Sequence, residues 1–326
     1  MNGMRAAPIR LYKYKKFDSQ TLNLLVTDRL YFANPATFND PLDTRPSVKC
    51  DLNVADLESV VRRLVEQRVH AEMSAAAKSL KYKGPKTLEH ISRQSLQQAA
   101  RLISEIDYNA GDPSYEVDDP HRFLLTSYLE AELLKRYNKG IVAFAESPSC
   151  PLMWSHYGDQ HRGICVGYSV PNNREVKLHP VEYDGDRLVS ASDISKMLDG
   201  ETDAQERVDQ AVLFRKAAPW KYEQEWRLIG ERGPQDSPLE LEEIVFGLRC
   251  DPAVAFAIVK AFEGRSHQVR FFEMREANDT FDLSKSDLDM AEALATWPRR
   301  SLSTHEAFDA VDTATQAGPS SPTDGL

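Results

Sequence analysis

Apolar and polar positions alternate with period two near the start of the chain. IRLYKYKKF and RLYFAN show this alternation, which predicts two short strands. SQTLNLLVTD lies between them with its leucines at helical spacing, and Asp18-Ser19 provides a helix start. The FNDPLD segment that follows predicts a rigid turn, because proline restricts the residue before it and Asn and Asp side chains bond their own backbone.

A helical period replaces this alternation between residues 53 and 138. Leu, Ala, Glu, Arg and Gln dominate there, which predicts three or four helices inserted between two strand-rich regions. The tail is too polar to bury a core. We therefore expect a first core half at 8–52, a helical insertion at 53–138, a second core half at 139–275, a C-terminal helical extension at 276–300 and a disordered tail at 301–326.

Strand patterns resume after Lys139-Gly140. GIVAFAES, RGICVGYSV and YEQEWRLIG predict strands, and PLMWSHYGDQH predicts a short aromatic helix. The expected fold class is α+β, with a split, mostly antiparallel sheet core interrupted by the helical insertion.

Composition narrows the classes of function. A net charge of −10 and a pI near 5.4 disfavour broad electrostatic capture of duplex nucleic acid, although a small basic cleft is compatible with them. The four cysteines form no CxxC pair, which suits a reducing compartment and argues against zinc held by thiolates. With no apolar signal core or bilayer-length apolar run, the expected location is cytoplasmic, with no membrane partner.

The sharpest chemical feature is Glu223-Gln224-Glu225. On a strand, Glu223, Glu225 and Arg227 would share one face, where the two carboxylates raise each other's proton affinity and Arg227 favours the charged form. Such a face suits one acid and one base. The alternative is a solvated strand face with a structural ion pair.

Several segments together carry a family pattern. LYKY, NPATFNDPLD, LMWSHYGDQHRGICVGY, the spaced Lys216 to Arg227 region and IVFG resemble the bacterial domain-of-unknown-function family 2971 (DUF2971). The resemblance spans roughly Leu11 to Phe272. That family brings no assigned activity with it.

The order of elements also resembles the split core of mono-ADP-ribosyltransferases. The resemblance implies NAD as co-substrate, Glu225 as the catalytic glutamate, Glu223 as its partner, and Tyr157 or Ser147 beneath the nicotinamide. LYKY departs from the pattern, because Lys13 or Tyr12 stands where those enzymes have His or Arg. The expected cofactor-binding set is Lys13, Tyr12, Tyr14, Asn39, Ser147, Trp154, His156 and Arg227. Aromatic residues at strand and helix spacing are also compatible with a purely structural core.

The leading hypothesis is thus an NAD-dependent ADP-ribosyltransferase-like enzyme that acts in stress or phage defence, with an acceptor among proteins, nucleic acids or small molecules. One alternative is a metal-dependent nuclease or hydrolase that uses Asp40, Asp43, both glutamates and Lys216. Another is a non-catalytic binding module. His156 and His161 do not share a helix face, so we expect a structural role for His156 and no metal site.

Overall fold

The computed structural model of the chain describes residues 8–171 and 175–291, together with residues 301, 303, 305, 306 and 308. Capping side chains begin several helices; Asp18, Asn53, Asp119 and Asp251 each accept a hydrogen bond from a backbone amide of the first turn. The α-helices are α1 (Ser19–Val26), α2 (Val54–Ser79), α3 (Thr87–Ala110), α4 (Pro120–Arg136), α5 (Pro151–His156), α6 (Ala191–Leu198), α7 (Thr202–Leu213) and α8 (Pro252–Ala261).

Short strands occupy both halves of the chain. They are β1 (Leu11–Lys15), β2 (Arg29–Phe32), β3 (Ser47–Lys49), β4 (Gly140–Phe144), β5 (Ile164–Ser169), β6 (Leu178–Pro180), β7 (Leu188–Ser190), β8 (Trp226–Gly230), β9 (Gly233–Asp236), β10 (Glu240–Phe246), β11 (Arg270–Glu276) and β12 (Leu283–Asp287). Two 3-10 helices, Pro35–Thr37 and Ala218–Glu223, lie between them.

The strands form several small, mostly antiparallel sheets. The largest has the order β1-β5-β10-β11-β12, and a second has the order β4-β8-β6. The pairs β2-β9 and β3-β7 stand apart, and β10-β11 and β3-β7 are parallel. Single backbone bridges, Tyr12 to Ala145 and Ala33 to Ile141, connect β1 and β2 to the β4 region. A mixed α and β fold with mostly antiparallel sheets is thus confirmed.

Two large hydrophobic clusters hold these layers together. One joins α2, α3 and α4 to α6 and α7, with Leu57, Leu125, Leu133 and Ile194 fully buried. The other fills the space between the sheets and α8. Because α6 and α7 belong to the second half of the chain, the predicted helical insertion shares its core with that half.

The structure corrects two details of the sequence prediction. β12 (Leu283–Asp287) occupies part of 276–300, where a helical extension was expected, because its backbone pairs with β11. α5 ends at His156, so it is shorter than the aromatic segment. The predicted disordered tail at 301–326 lies almost wholly outside the described residues.

Among the residues described, none of the helices has both the length and the apolar content that crossing a bilayer requires. All four cysteines are free thiols.

A tight turn follows α5 and leads into β5. Asp159, Gln160 and His161 all have positive φ, so the chain makes a left-handed turn that L residues adopt at a cost. Gly163 closes this turn by donating to the Gly158 carbonyl at 2.8 Å. A Cβ on Gly163 would lie 2.2 Å from the Lys15 carbonyl oxygen, so only glycine allows β1 this close.

We expect Gly163→Ala to destabilise the fold by at least about 1–3 kcal/mol, because backbone must move to admit the methyl group. Urea unfolding measures this loss. Gly111→Ala is the matched control, since its Cβ would meet nothing closer than 3.5 Å. Equal midpoints for the two variants would contradict the close approach.

Candidate functional site

Three separated chain segments meet where the two main sheets touch. Tyr12 and Ala145 exchange backbone hydrogen bonds of 2.8 and 2.7 Å, which joins β1 to the end of β4. Phe144 pairs with Trp226 at the start of β8. The end of β4 therefore lies between β1 and the Glu-x-Glu segment.

A cavity of about 150 Å³ opens at this junction. Its wall combines aromatic rings with a few charged groups. The lining residues are Tyr12, Lys13, Tyr14, Phe38, Asn39, Asp43, Ala143, Phe144, Ala145, Met153, Tyr157, Lys216, Glu223 and Glu225.

Glu223 and Glu225 reach this cavity by a route that the sequence did not predict. The segment before β8 is not a strand, since a 3-10 helix ends at Glu223 and Gln224 has φ 44°, a left-handed conformation. This kink replaces the expected strand alternation, yet it still leaves both carboxylates directed at Lys216. Gln224 carries no sequence signal for such a conformation, because it is neither glycine nor asparagine.

Arg227 lies buried beneath the carboxylates of the site. Its side chain is 0% exposed, and Nε donates to Glu225 Oε1 at 2.8 Å. Nη2 donates to both carboxylate oxygens of Asp43, at 2.9 and 2.8 Å, and Nη1 donates to the Leu213 carbonyl at 2.6 Å. The guanidinium thus fixes groups from three parts of the chain.

Lys216 forms a second cationic centre nearer the cavity. Its Nζ lies 2.5 Å from Glu223 Oε2, 3.2 Å from Glu225 Oε2 and 3.5 Å from Asp43 Oδ2. Burial alone would lower the pKa of Lys216, but Glu225, Glu223 and Asp43 together outweigh burial and raise it. Lys216 therefore stays protonated.

Tyr157 links Glu223 to the mouth of the cavity. Its hydroxyl donates to Glu223 Oε1 at 2.7 Å and accepts from the amide of the exposed Asn39 at 3.0 Å. Burial and the neighbouring Glu223 raise the pKa of Tyr157. Tyr157 is thus a hydrogen-bond donor to the carboxylate throughout the neutral range.

The three carboxyl groups differ in their proton affinity. Burial would raise the pKa of Glu225, but Arg227 and Lys216 outweigh it and lower this pKa to about 2. For Glu223 and Asp43, burial and the charge of Glu225 raise the pKa despite the nearby cations. Glu225 is the permanent anion of the site, and Glu223 is better suited to exchanging a proton.

Lys13 contrasts with Lys216. Its Nζ donates to the Ala143 carbonyl at 2.9 Å and lies 5.7 Å from the centre of the Phe144 ring. Burial, with Lys15 nearby, lowers the pKa of Lys13 to about 7, and Glu225 only partly opposes this. A large fraction of Lys13 is therefore neutral at physiological pH.

Some residues of the predicted cofactor-binding set do not reach the cavity wall. Trp154 is fully buried, and its Nε1 donates to the Pro148 carbonyl at 2.8 Å. It is therefore a structural core residue and does not stack on a ligand in the cavity. His156 is exposed beside the rings of Tyr157, Trp220 and Tyr222.

Two further residues of that set lie just outside the cavity. Ser147 bonds Ser149 through their hydroxyls at 3.0 Å and accepts from Tyr14 through its carbonyl. Arg227 lies behind Glu225 and Asp43 and acts on the cavity through these two carboxylates.

The structure also adds residues to the site that the sequence did not indicate. Phe38, Phe144 and Met153 complete the apolar wall, and the Tyr183 hydroxyl accepts from the Glu225 amide at 2.8 Å. In the sequence these residues look like ordinary core side chains. Only their position in the fold shows that they belong to the site.

The carboxylates required by the metal-dependent alternative surround protein cations. Asp43, Glu223 and Glu225 contact Lys216, and Asp40 accepts from the Leu42 amide within its own turn. Among the described residues, no group of three or more His, Cys, Asp or Glu side chains is placed to hold a metal ion.

The arrangement has a definite chemical character. Asp43, Glu223 and Glu225 contribute three carboxyl groups, whereas Lys216 and Arg227 contribute the two firmly charged cations. Full ionisation leaves an excess of negative charge beside aromatic rings. Such a cavity favours a flat cationic ligand or a transition state that develops positive charge.

We expect Arg227→Met to lower the free energy of unfolding by about 3–5 kcal/mol, because it leaves buried carboxylates without their main partner. Arg207→Met is the control: Arg207 pairs with Asp193, but its side chain is 51% exposed, so its removal should change the stability little. Chemical denaturation of both variants gives the comparison. Similar small losses would show that the buried cluster contributes little.

Comparison with known proteins connects this geometry to a family. The family model described as "Protein of unknown function (DUF2971)" matches residues 153–228, which include Met153, Tyr157, Lys216, Glu223 and Glu225 of the cavity wall. No curated protein and no solved structure matches the chain. The predicted resemblance is therefore confirmed over residues 153–228, the part of the chain that carries the sequence pattern of DUF2971.

Proposed function

We propose that the protein is an NAD-dependent ADP-ribosyltransferase-like enzyme whose cavity holds the nicotinamide-ribose end of NAD. The observation that carries the proposal is the pair Glu223 and Glu225 on the wall of an aromatic cavity, with Glu225 held ionised by Arg227 and Lys216. Breaking the bond between nicotinamide and ribose develops positive charge on the sugar, as in glycosidic cleavage. An oriented carboxylate stabilises that charge.

The strand arrangement supports the same proposal. The resemblance to mono-ADP-ribosyltransferases assigns one role each to a first strand, a middle motif and a last glutamate-bearing segment. Here β1 bridges the end of β4, and β4 pairs with β8 directly after Glu225. The three segments therefore meet around one cavity, as a shared NAD site requires.

Charge is the second support. The nicotinamide ring of NAD is a flat cation, and its partner in the cavity would be the excess negative charge of Glu223, Glu225 and Asp43. Tyr12, Tyr14 and Phe144 provide aromatic surface for the ring. Lys13 does not repel the cationic nicotinamide ring once Lys13 has lost its proton.

The size of the cavity indicates which part of NAD enters it. The cavity measures about 150 Å³. Pockets that bury a whole drug-sized ligand measure roughly 300–1,000 Å³. Only the reacting end is therefore enclosed, and the adenosine part extends past Asn39 at the mouth.

The remaining residues receive positioning or proton-transfer roles under this proposal. Glu223, with its raised pKa, orients the acceptor and removes its proton, and Tyr157 holds Glu223 through a 2.7 Å hydrogen bond. Arg227 positions Glu225 from behind. Lys216 contacts both glutamates and offsets the repulsion between their charges.

We expect Glu225→Gln to slow nicotinamide release from NAD by about 100- to 1000-fold, because it removes the charge that stabilises the sugar cation. Chromatography of the reaction with cell lysate as acceptor, with and without EDTA, measures the release. Glu132→Gln is the matched control, since Glu132 is also a buried glutamate, paired with Arg68 and Lys135 in the helical insertion. Circular dichroism establishes that both variants fold.

A folded Glu225→Gln protein that keeps the wild-type rate would contradict the role of Glu225. If wild-type protein releases no nicotinamide with any acceptor, the transferase proposal is wrong. If EDTA abolishes the release, the reaction requires a metal ion, as the metal-dependent alternative predicts.

NAD affinity should increase as the pH rises through about 7, the pKa of Lys13. The cationic nicotinamide ring binds best when Lys13 is neutral and Glu223 is ionised, so binding releases protons. Proton release strengthens affinity by up to about tenfold per pH unit below the pKa. Calorimetry at several pH values measures it, and Lys13→Met should flatten the Lys13 part of the profile. An affinity that decreases as pH rises would contradict the charge argument.

A further inference from the structure

A second surface with its own charge pattern lies where α2 turns into α3. We define the hairpin tip as residues 78–93. It contains five cationic residues and only one carboxylate, although the whole chain has a net charge of −10. The cationic residues are Lys78, Lys81, Lys83, Lys86 and Arg93.

None of these cations is neutralised within the part of the chain that the structure describes. All five are exposed, and none of them forms an ion pair with a described carboxylate. Arg93 contacts only the ring nitrogen Nδ1 of His90, at 3.3 Å. Other exposed cations, such as Arg162 and Arg207, do pair with a carboxylate.

The tip projects away from the hydrophobic core. Every buried residue of α2 lies between Leu57 and Val65. Beyond Val65, Val69 still packs partly against the core and Arg68 pairs with Glu132 of α4. Residues 70–79 extend the helix by roughly a further 15 Å at 1.5 Å per residue. The core therefore does not account for the side chains of residues 70–79.

Apolar and aromatic side chains are exposed among these cations. Leu80 is 79% exposed and Tyr82 is 65% exposed. Both line a groove of about 660 Å³, together with Lys86, His90 and Arg93. The Tyr82 ring lies on Gly84, since a Cβ there would be 2.7 Å from the Tyr82 hydroxyl oxygen.

We propose that the hairpin tip binds single-stranded nucleic acid in this groove. The lysines and Arg93 would contact phosphates, and the rings of Tyr82 and His90 would stack on unpaired bases. Cationic grooves with stacking side chains are how proteins bind single strands without strong sequence preference. A duplex hides the faces of its bases, so this groove suits it less well.

The inference goes beyond the proposed enzymatic function and does not depend on it. Nucleic acid would be a partner whether it serves as acceptor or only brings the enzyme to its acceptor. Binding is therefore measured without NAD, on the full chain, so that its outcome is separate from that of nicotinamide release.

The probes are fluorescein-labelled oligo(U) and oligo(dT) of about 12 nucleotides, within the usual site size for such grooves. Fluorescence anisotropy at several salt concentrations gives affinity and its salt dependence. The triple variant Lys81→Gln, Lys83→Gln and Lys86→Gln should bind about tenfold or more weakly. Its plot of log affinity against log salt should be shallower by about two units, as expected for three lost phosphate contacts.

A charge-matched control removes three exposed lysines elsewhere, with Lys177→Gln, Lys196→Gln and Lys260→Gln. It should keep wild-type affinity within about twofold, because only cations at the binding site release counterions from the strand.

Stacking is tested separately. Tyr82→Ala should weaken binding roughly five- to hundredfold, the range for loss of one stacked base. Tyr108→Ala, which removes an exposed tyrosine at the other end of α3, should leave affinity unchanged.

The proposal is overturned by any of three results. Neither oligonucleotide binds saturably, the tip variants bind like wild type, or the tip lysines are required instead for binding to vesicles containing phosphatidylglycerol while the oligonucleotides do not bind. Circular dichroism of each variant excludes unfolding as the cause of a loss.

Discussion

The ion pairs of Arg227 are the interaction on which the architecture of the site depends. One guanidinium connects Asp43 of the first half of the chain with Glu225 and with the Leu213 carbonyl at the end of α7. A charge this deeply buried is stable only when all of its partners are in position. The three segments must therefore fold cooperatively. The geometry of Glu225 thus results from folding itself and needs no ligand to assemble it.

Lys216 and Lys13 show how one cavity can treat two amines in opposite ways. Lys216 lies among carboxylates and keeps its proton, whereas burial, with Lys15 nearby, lowers the pKa of Lys13. The difference comes from the surroundings of each amine rather than from residue type. The site therefore contains one lysine that is always charged, Lys216, and one that gains or loses its proton near neutral pH, Lys13.

The larger elements of the fold follow from periodicity in the sequence. Alternation predicts β1, β2, β4 and β5, and the helical period predicts α2, α3 and α4, since each buries one apolar face. The very short strands β3, β7 and β9 depend on distant partners and leave almost no local pattern.

The site was predictable only in part, for a similar reason. Lys13, Asn39, Tyr157 and Glu225 belong to the predicted site and line the cavity, whereas the predicted His156 does not. The pairing of Arg227 with Asp43 across 184 positions was not foreseen, because no local pattern encodes a contact at that separation. Trp154 could not be told from a ligand-stacking residue by spacing alone.

The distribution of buried residues along α2 has a consequence for how such a protein can diversify. The part of α2 up to Val69 is constrained by the core, while the arm beyond it is constrained mainly by its packing on α3. Both arms can gain or lose about seven residues, two helical turns, and keep the same faces together. The length and surface of the arm could therefore change without disturbing the cavity.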